Sequence, residues 1–178
     1  MTKSTSVTLQ RIQKKRISNS VFFMKFRIYQ LLFVAVTALL VYAMMQPLML
    51  FIGPDASVAV MDNWGFTNAD GTVSRSVAAL GVVLLFTALV NLFAMFVSLF
   101  SNFELQKRST ILSMLLLAGY YVLLLVYWFV FSNGTVVNAE LPMLFPFFAL
   151  TLNAFSYILI RKQEAKIVAR ALGFRLRD

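Results

Sequence analysis

Two amide side chains, Asn91 and Asn153, sit inside apolar runs that hold no charged residue. An amide in hydrocarbon donates and accepts hydrogen bonds without ionising, so its chemistry is helix-to-helix bonding or recognition of a polar ligand. Catalytic alternatives are few. The chain has no Cys and no His, which removes disulfides, iron–sulfur clusters, thiolate metal sites, imidazole haem ligation and His-based acid–base catalysis. Ser and Thr occur in the apolar runs, but no Lys, Asp or Glu lies there to activate them. No catalytic residue, metal ligand or cofactor is expected, and the chain reads as a non-enzyme.

The amides lie in stripes of small residues. Gly81, Thr87, Ala88, Asn91, Ala94 and Ser98 fall on one face of a helix turning about 100° per residue, and Pro142, Pro146, Ala149, Asn153 and Ser156 form a narrower stripe. Such residues let membrane helices approach closely. Asn91 lies nine residues before Phe100 and Asn153 seven before Ile160, about 13 and about 10 Å from the same membrane boundary. Gly119 comes at a matching level in a third run. The expected site is a membrane-embedded polar packing layer of Asn91, Asn153 and Gly119, with the two amides meeting directly or through one water.

The elements that must carry this layer follow from composition. Of 178 residues, 60% are hydrophobic and 13% charged, against about 25% charged in soluble domains. The chain reads as an integral membrane protein. Four uncharged runs, 31–52, 77–100, 111–131 and 141–160, each reach the roughly 20 residues that cross a bilayer core as a helix. The expected fold is an all-α, antiparallel four-helix transmembrane bundle with short connections.

The charges set its orientation. Fifteen of the sixteen basic residues lie before the first run, between the second and third, or after the fourth; Arg75 alone lies on the other side, with Asp55, Asp62, Asp70 and Glu140. The positive-inside rule then places both termini in the cytoplasm. Residues 1–30 read as a basic tail, mobile to about Ser20 and interfacial just before the first span; 161–178 form a second basic tail continuing the fourth helix, with Gly173 as its stop. With a net charge of +9, these tails suit anionic lipid headgroups rather than nucleic acid. The first run has 22 residues, longer than the hydrophobic part of a signal peptide, so it reads as a retained span.

The outer loop 53–76 carries a turn signal, Asn68-Ala69-Asp70-Gly71, between Trp64–Thr67 and Thr72–Val73, which suggests a small hairpin on the membrane surface. Tyr127, Trp128 and Trp64 are expected at the outer interface, and Tyr29 and Tyr157 at the inner one. Asn133-Gly134-Thr135 fits the glycosylation triplet, a pattern common by chance.

Three stretches resemble an uncharacterised four-span integral membrane family of Bacteroidota, a domain-of-unknown-function family. They are 24–32, the inner loop 100–108, and the end of the chain, Ile160-Arg161-Lys162-Gln163-Glu164 through Arg175-Leu176-Arg177. The loop is similar to a Phe-x-Asn-Arg-x-Leu-Gln-x-Arg pattern, with Phe103 in place of its Arg. The resemblance implies a four-span inner-membrane protein and supplies no functional residue; it also implies that residues 1–23 are an extension, with Met24 as an alternative start. Function then divides three ways. A structural or accessory subunit, with a membrane-protein partner or a second copy of itself, needs nothing the sequence lacks. A small carrier of lipid or hydrophobic solute comes second, because no span holds the ionisable residue usual in coupled transporters. An intramembrane enzyme comes last.

Overall fold

The computed structural model describes residues 28–55, 57–100, 102–132 and 135–171. The expected tails before residue 28 and after 171, including Met24 and Gly173, lie outside the described residues, as do Asn133 and Gly134 of the glycosylation triplet.

The first apolar run divides in two. Its helix, α1, spans Ile28–Met44, 17 residues. Pro47 ends it, because its ring blocks a continuing helix and drives Gln46 towards extended backbone. The last turn tightens as Met45 N–H donates to Tyr42 O and Gln46 N–H to Ala43 O. Met49–Ile52 then form a strand, β1. The expected span 31–52 is thus corrected to a helix that stops at Met44.

The all-α expectation is corrected with it. Strand β1 pairs antiparallel with β2 (Val58–Met61) and β5 (Val136–Ala139), while β3 (Gly65–Thr67) and β4 (Val73–Ser76) extend the sheet in the order β4-β3-β2-β1-β5. Met49 faces Met61 on one side and Ala139 on the other. The anticipated hairpin is its outer part. Gly71 takes φ +80°, where an L side chain would be strained. Asp70 Oδ1 closes the turn by accepting from the Thr72 hydroxyl at 2.6 Å and the Thr72 N–H at 2.9 Å. Those bonds, the hydroxyl's first, hold its carboxyl below the ordinary Asp range.

The remaining helices are α2 (Ala78–Leu99), α3 (Phe103–Phe131) and α4 (Phe145–Ala171), the last entered through a 3-10 turn at Leu141–Leu144 with Pro142 in its first turn. Three residues separate α2 from α3 in the sequence. Asn102 caps α3 by accepting from Leu105 N–H at 3.2 Å, so Lys107 and Arg108 lie within the helix rather than in a loop. Three helical segments, Ala78–Leu99, Phe103–Phe131 and Leu141–Ala169, are long and apolar enough to cross a membrane; α1 is shorter.

Each helix packs on two others, α1 and α3 both against α2 and α4. The connections make neighbours antiparallel. The end of α1, the start of α2 and the end of α3 meet the sheet, where Phe66 stacks on Phe131 at 4.8 Å and Arg75 lies over the same ring at 5.6 Å. At the opposite end Gln30 donates to Ser98 at 2.7 Å, joining α1 to α2. Tyr29 is 2% exposed there, packed with Phe33, Ala94 and Ile160. Its position on α1 turns the ring into the bundle.

Candidate functional site

Helix α2 turns a face of small and polar residues inwards. Gly81, Thr87, Ala88, Asn91, Ala94 and Ser98 are all buried. On α4, Pro146, Ala149, Asn153 and Ser156 are buried, and Pro142, in the 3-10 turn before it, is half-buried. Between them runs the inner face of α3, with Gln106, Thr110, Ser113, Leu117, Tyr120 and Leu124 at steps of three or four residues.

Ser113 is the meeting point. Its Oγ accepts from Asn91 Nδ2 at 2.7 Å and from Asn153 Nδ2 at 2.8 Å. The structure thus brings Asn91 and Asn153 to one place through a hydroxyl on the third helix. Asn91 Nδ2 also donates to Thr87 O at 2.9 Å, one turn back along α2. Gly119 does not join them. It is exposed, and a Cβ added there meets nothing within 4 Å. Its level suits the layer, but six residues of helix separate it from Ser113 and turn it about 240° around the axis. Depth alone is therefore a poor guide to a contact.

Four buried side-chain atoms have no hydrogen-bond partner among the described residues: Asn91 Oδ1, Asn153 Oδ1, and both Oε1 and Nε2 of Gln106. A buried polar atom left without a partner costs about 1–3 kcal/mol. The cluster therefore offers three amide oxygens and one amide donor to whatever enters the core. Most other hydroxyls here are occupied, since Thr87, Thr110 and Ser156 each donate to the carbonyl one turn back along their own helix. This arrangement can bind through neutral hydrogen bonds. Among the described residues no group of three His, Cys, Asp or Glu side chains could hold a metal ion.

Sequence reasoning missed Ser113 and Gln106. A signal existed in Gln106, Thr110 and Ser113, polar residues at steps of four and three that continue into the apolar face of α3. It also missed a second polar knot at the sheet end. Asn63, fully buried, donates from Nδ2 to Ala43 O at 2.8 Å and accepts at Oδ1 from the Tyr120 hydroxyl at 3.1 Å. Its backbone carbonyl accepts from Gly81 N–H at 2.9 Å. One residue thereby satisfies a last-turn carbonyl of α1 and a first-turn N–H of α2, groups that helix ends leave unpaired. Gly81 is required there, because a Cβ would sit 2.8 Å from the Trp64 ring and 2.9 Å from Asn63 O.

Among the described residues, edge strand β4 pairs only with β3, and all four of its residues are exposed. At the opposite end Lys107 Nζ contacts both Glu164 oxygens at 3.0 Å, linking α3 to α4. A family described as a domain of unknown function (DUF4293) matches residues 26–170. No curated protein matches the chain.

Proposed function

The chain belongs to the DUF4293 family, described as a domain of unknown function, and from that premise we propose that it is a multi-pass inner-membrane protein serving as a non-enzymatic structural or accessory subunit of a membrane complex. In this reading all four helices lie in the bilayer. The sheet faces outwards, and both termini lie in the cytoplasm with the basic residues.

The observation that carries the subunit reading is the open edge of the sheet. Strand β4 is exposed along its whole length, and an unpaired edge is a template for an extended segment of another chain. Trp64 and Val73, 44% and 66% exposed, add apolar surface beside it. A photo-crosslinking residue at Val73 should give a discrete protein adduct in cells, whereas one at lipid-facing Phe129 should capture lipid. Lipid alone at both positions would remove the proposal. Orientation is tested by Ser57→Cys and Lys162→Cys with an impermeant thiol reagent: the first should label in intact cells and the second only after lysis.

A second reading, a carrier of lipid or hydrophobic solute, is favoured by the core amide oxygens that have no partner among the described residues. Liposomes holding the purified protein should then move a fluorescent lipid between leaflets, and Asn91→Leu with Asn153→Leu should stop it. Transfer at the protein-free rate would dismiss this reading.

A further inference from the structure

The two adjacent cations near the start of α3 have different surroundings. Lys107 is held by Glu164, and its side chain is 20% exposed. Arg108 points another way, its side chain 80% exposed and its Nη2 3.8 Å from Glu104 Oε2. A pair so long and so exposed holds Arg108 weakly. Beside Arg108 lies a groove of about 400 Å³ between α2 and α3, lined by apolar Leu89, Phe93, Leu105 and Leu112, with Ser109 in its wall. The Ser109 hydroxyl donates to Leu105 O at 2.9 Å, which leaves the guanidinium as the charged group bordering the groove.

From this juxtaposition we infer that the groove is a binding site for one anionic phospholipid, an acyl chain lying between α2 and α3 and the phosphate on Arg108. The inference rests on the membrane reading above. Leu105 to Leu112 covers about 10 Å along the axis, much of the roughly 15 Å of hydrocarbon in one leaflet. A helical side chain leans towards the N-terminus of its helix, so Arg108 reaches towards the charged end, where lipid phosphates lie. Its planar fork of donors matches two phosphate oxygens. Glu104 is the competing anion. A zwitterionic lipid would bring its own cation to this rim, whereas an anionic headgroup leaves its phosphate free for Arg108.

The test uses the full chain with Trp64→Phe and Trp128→Phe, carrying Phe93→Trp as a reporter in the groove or Leu125→Trp as a reporter far from it. Each protein is reconstituted in phosphatidylcholine vesicles containing brominated phosphatidylglycerol or brominated phosphatidylcholine. The Phe93→Trp reporter should be quenched at a mole fraction about fivefold lower by the anionic lipid, the selectivity one cation near the headgroups supplies. Arg108→Gln should abolish that preference while quenching persists, and the Leu125→Trp reporter should show none. Equal quenching by both lipids in the Arg108 protein overturns the site, and a preference that survives Arg108→Gln overturns the headgroup contact. Absence of quenching at both reporters would instead overturn the membrane reading.

Discussion

At the sheet end, polar groups in the core meet partners with their capacity used. Asn63 engages Ala43, Tyr120 and Gly81, within apolar packing of Leu48, Met61, Leu80, Leu84, Leu117 and Leu124. Further from the sheet along the bundle, Asn91, Asn153 and Gln106 are equally buried, yet each keeps at least one polar atom unpartnered among the described residues. The contrast separates two uses of polarity in a helical core. One knot fastens helix termini to a sheet; the other cluster leaves hydrogen-bonding capacity open, at a cost in stability that binding could recover.

The largest expected effect breaks the fastened end. Asn63→Leu takes the side-chain partner from the buried Tyr120 hydroxyl and leaves the Ala43 carbonyl with the longer 3.4 Å bond from Gln46 N–H. It should cost about 1–3 kcal/mol for the orphaned group. Denaturant unfolding in mixed micelles measures it, and a loss below about 1 kcal/mol would mean that the knot is not structural.

A smaller effect belongs to the shared hydroxyl. Asn91→Leu and Asn153→Leu should each cost about 0.6–1.7 kcal/mol, as interhelical hydrogen bonds in membranes do. Their joint cost should differ from the sum, because both amides use Ser113. Strict additivity of unfolding free energies would show that the cluster does not act as a unit.

Gln106→Leu sharpens the contrast further. With neither amide atom partnered among the described residues, the substitution should be neutral or stabilising by about 1 kcal/mol. A clear loss of thermal stability would reveal that Gln106 is engaged by bound water or ligand.

The smallest effect lies outside the core. Asp70 has its carboxyl held below the ordinary value by Thr72, so its ionised form supports the turn. That support is present above the unfolded pKa and is lost as pH falls through the lower folded one. Protection of the Thr72 amide, its exchange rate compared with that of an unstructured chain at the same pH, should therefore fall on acidification through the carboxylate range and stay level in Asp70→Asn. Identical pH profiles would remove the role of the charge.

The polar faces were legible because they depend on local periodicity. The stripes of α2 and α4 follow from residue spacing, and their burial needs only that some neighbour cover them. Ser113 was harder to see. A serine in an apolar helix commonly bonds its own backbone, and only the neighbours on α2 and α4 reveal that it accepts two amides. Gly119 was misplaced because its level was matched without its direction. The strand Met49–Ile52 was hidden because a short apolar run looks alike in a helix and in a buried strand, although Pro47 marked the break.

The sequence by itself determined the apolar segments, the charge asymmetry and which helix faces are small and polar, since these depend on composition and on a period of a few residues. The tertiary structure decided the rest. Pairing Met49 with both Met61 and Ala139 joins segments far apart in the chain, and the convergence of Asn91, Ser113 and Asn153 requires three helices at fixed rotations. Such choices follow from hydrogen bonds and packing between distant residues, which no local window of sequence contains.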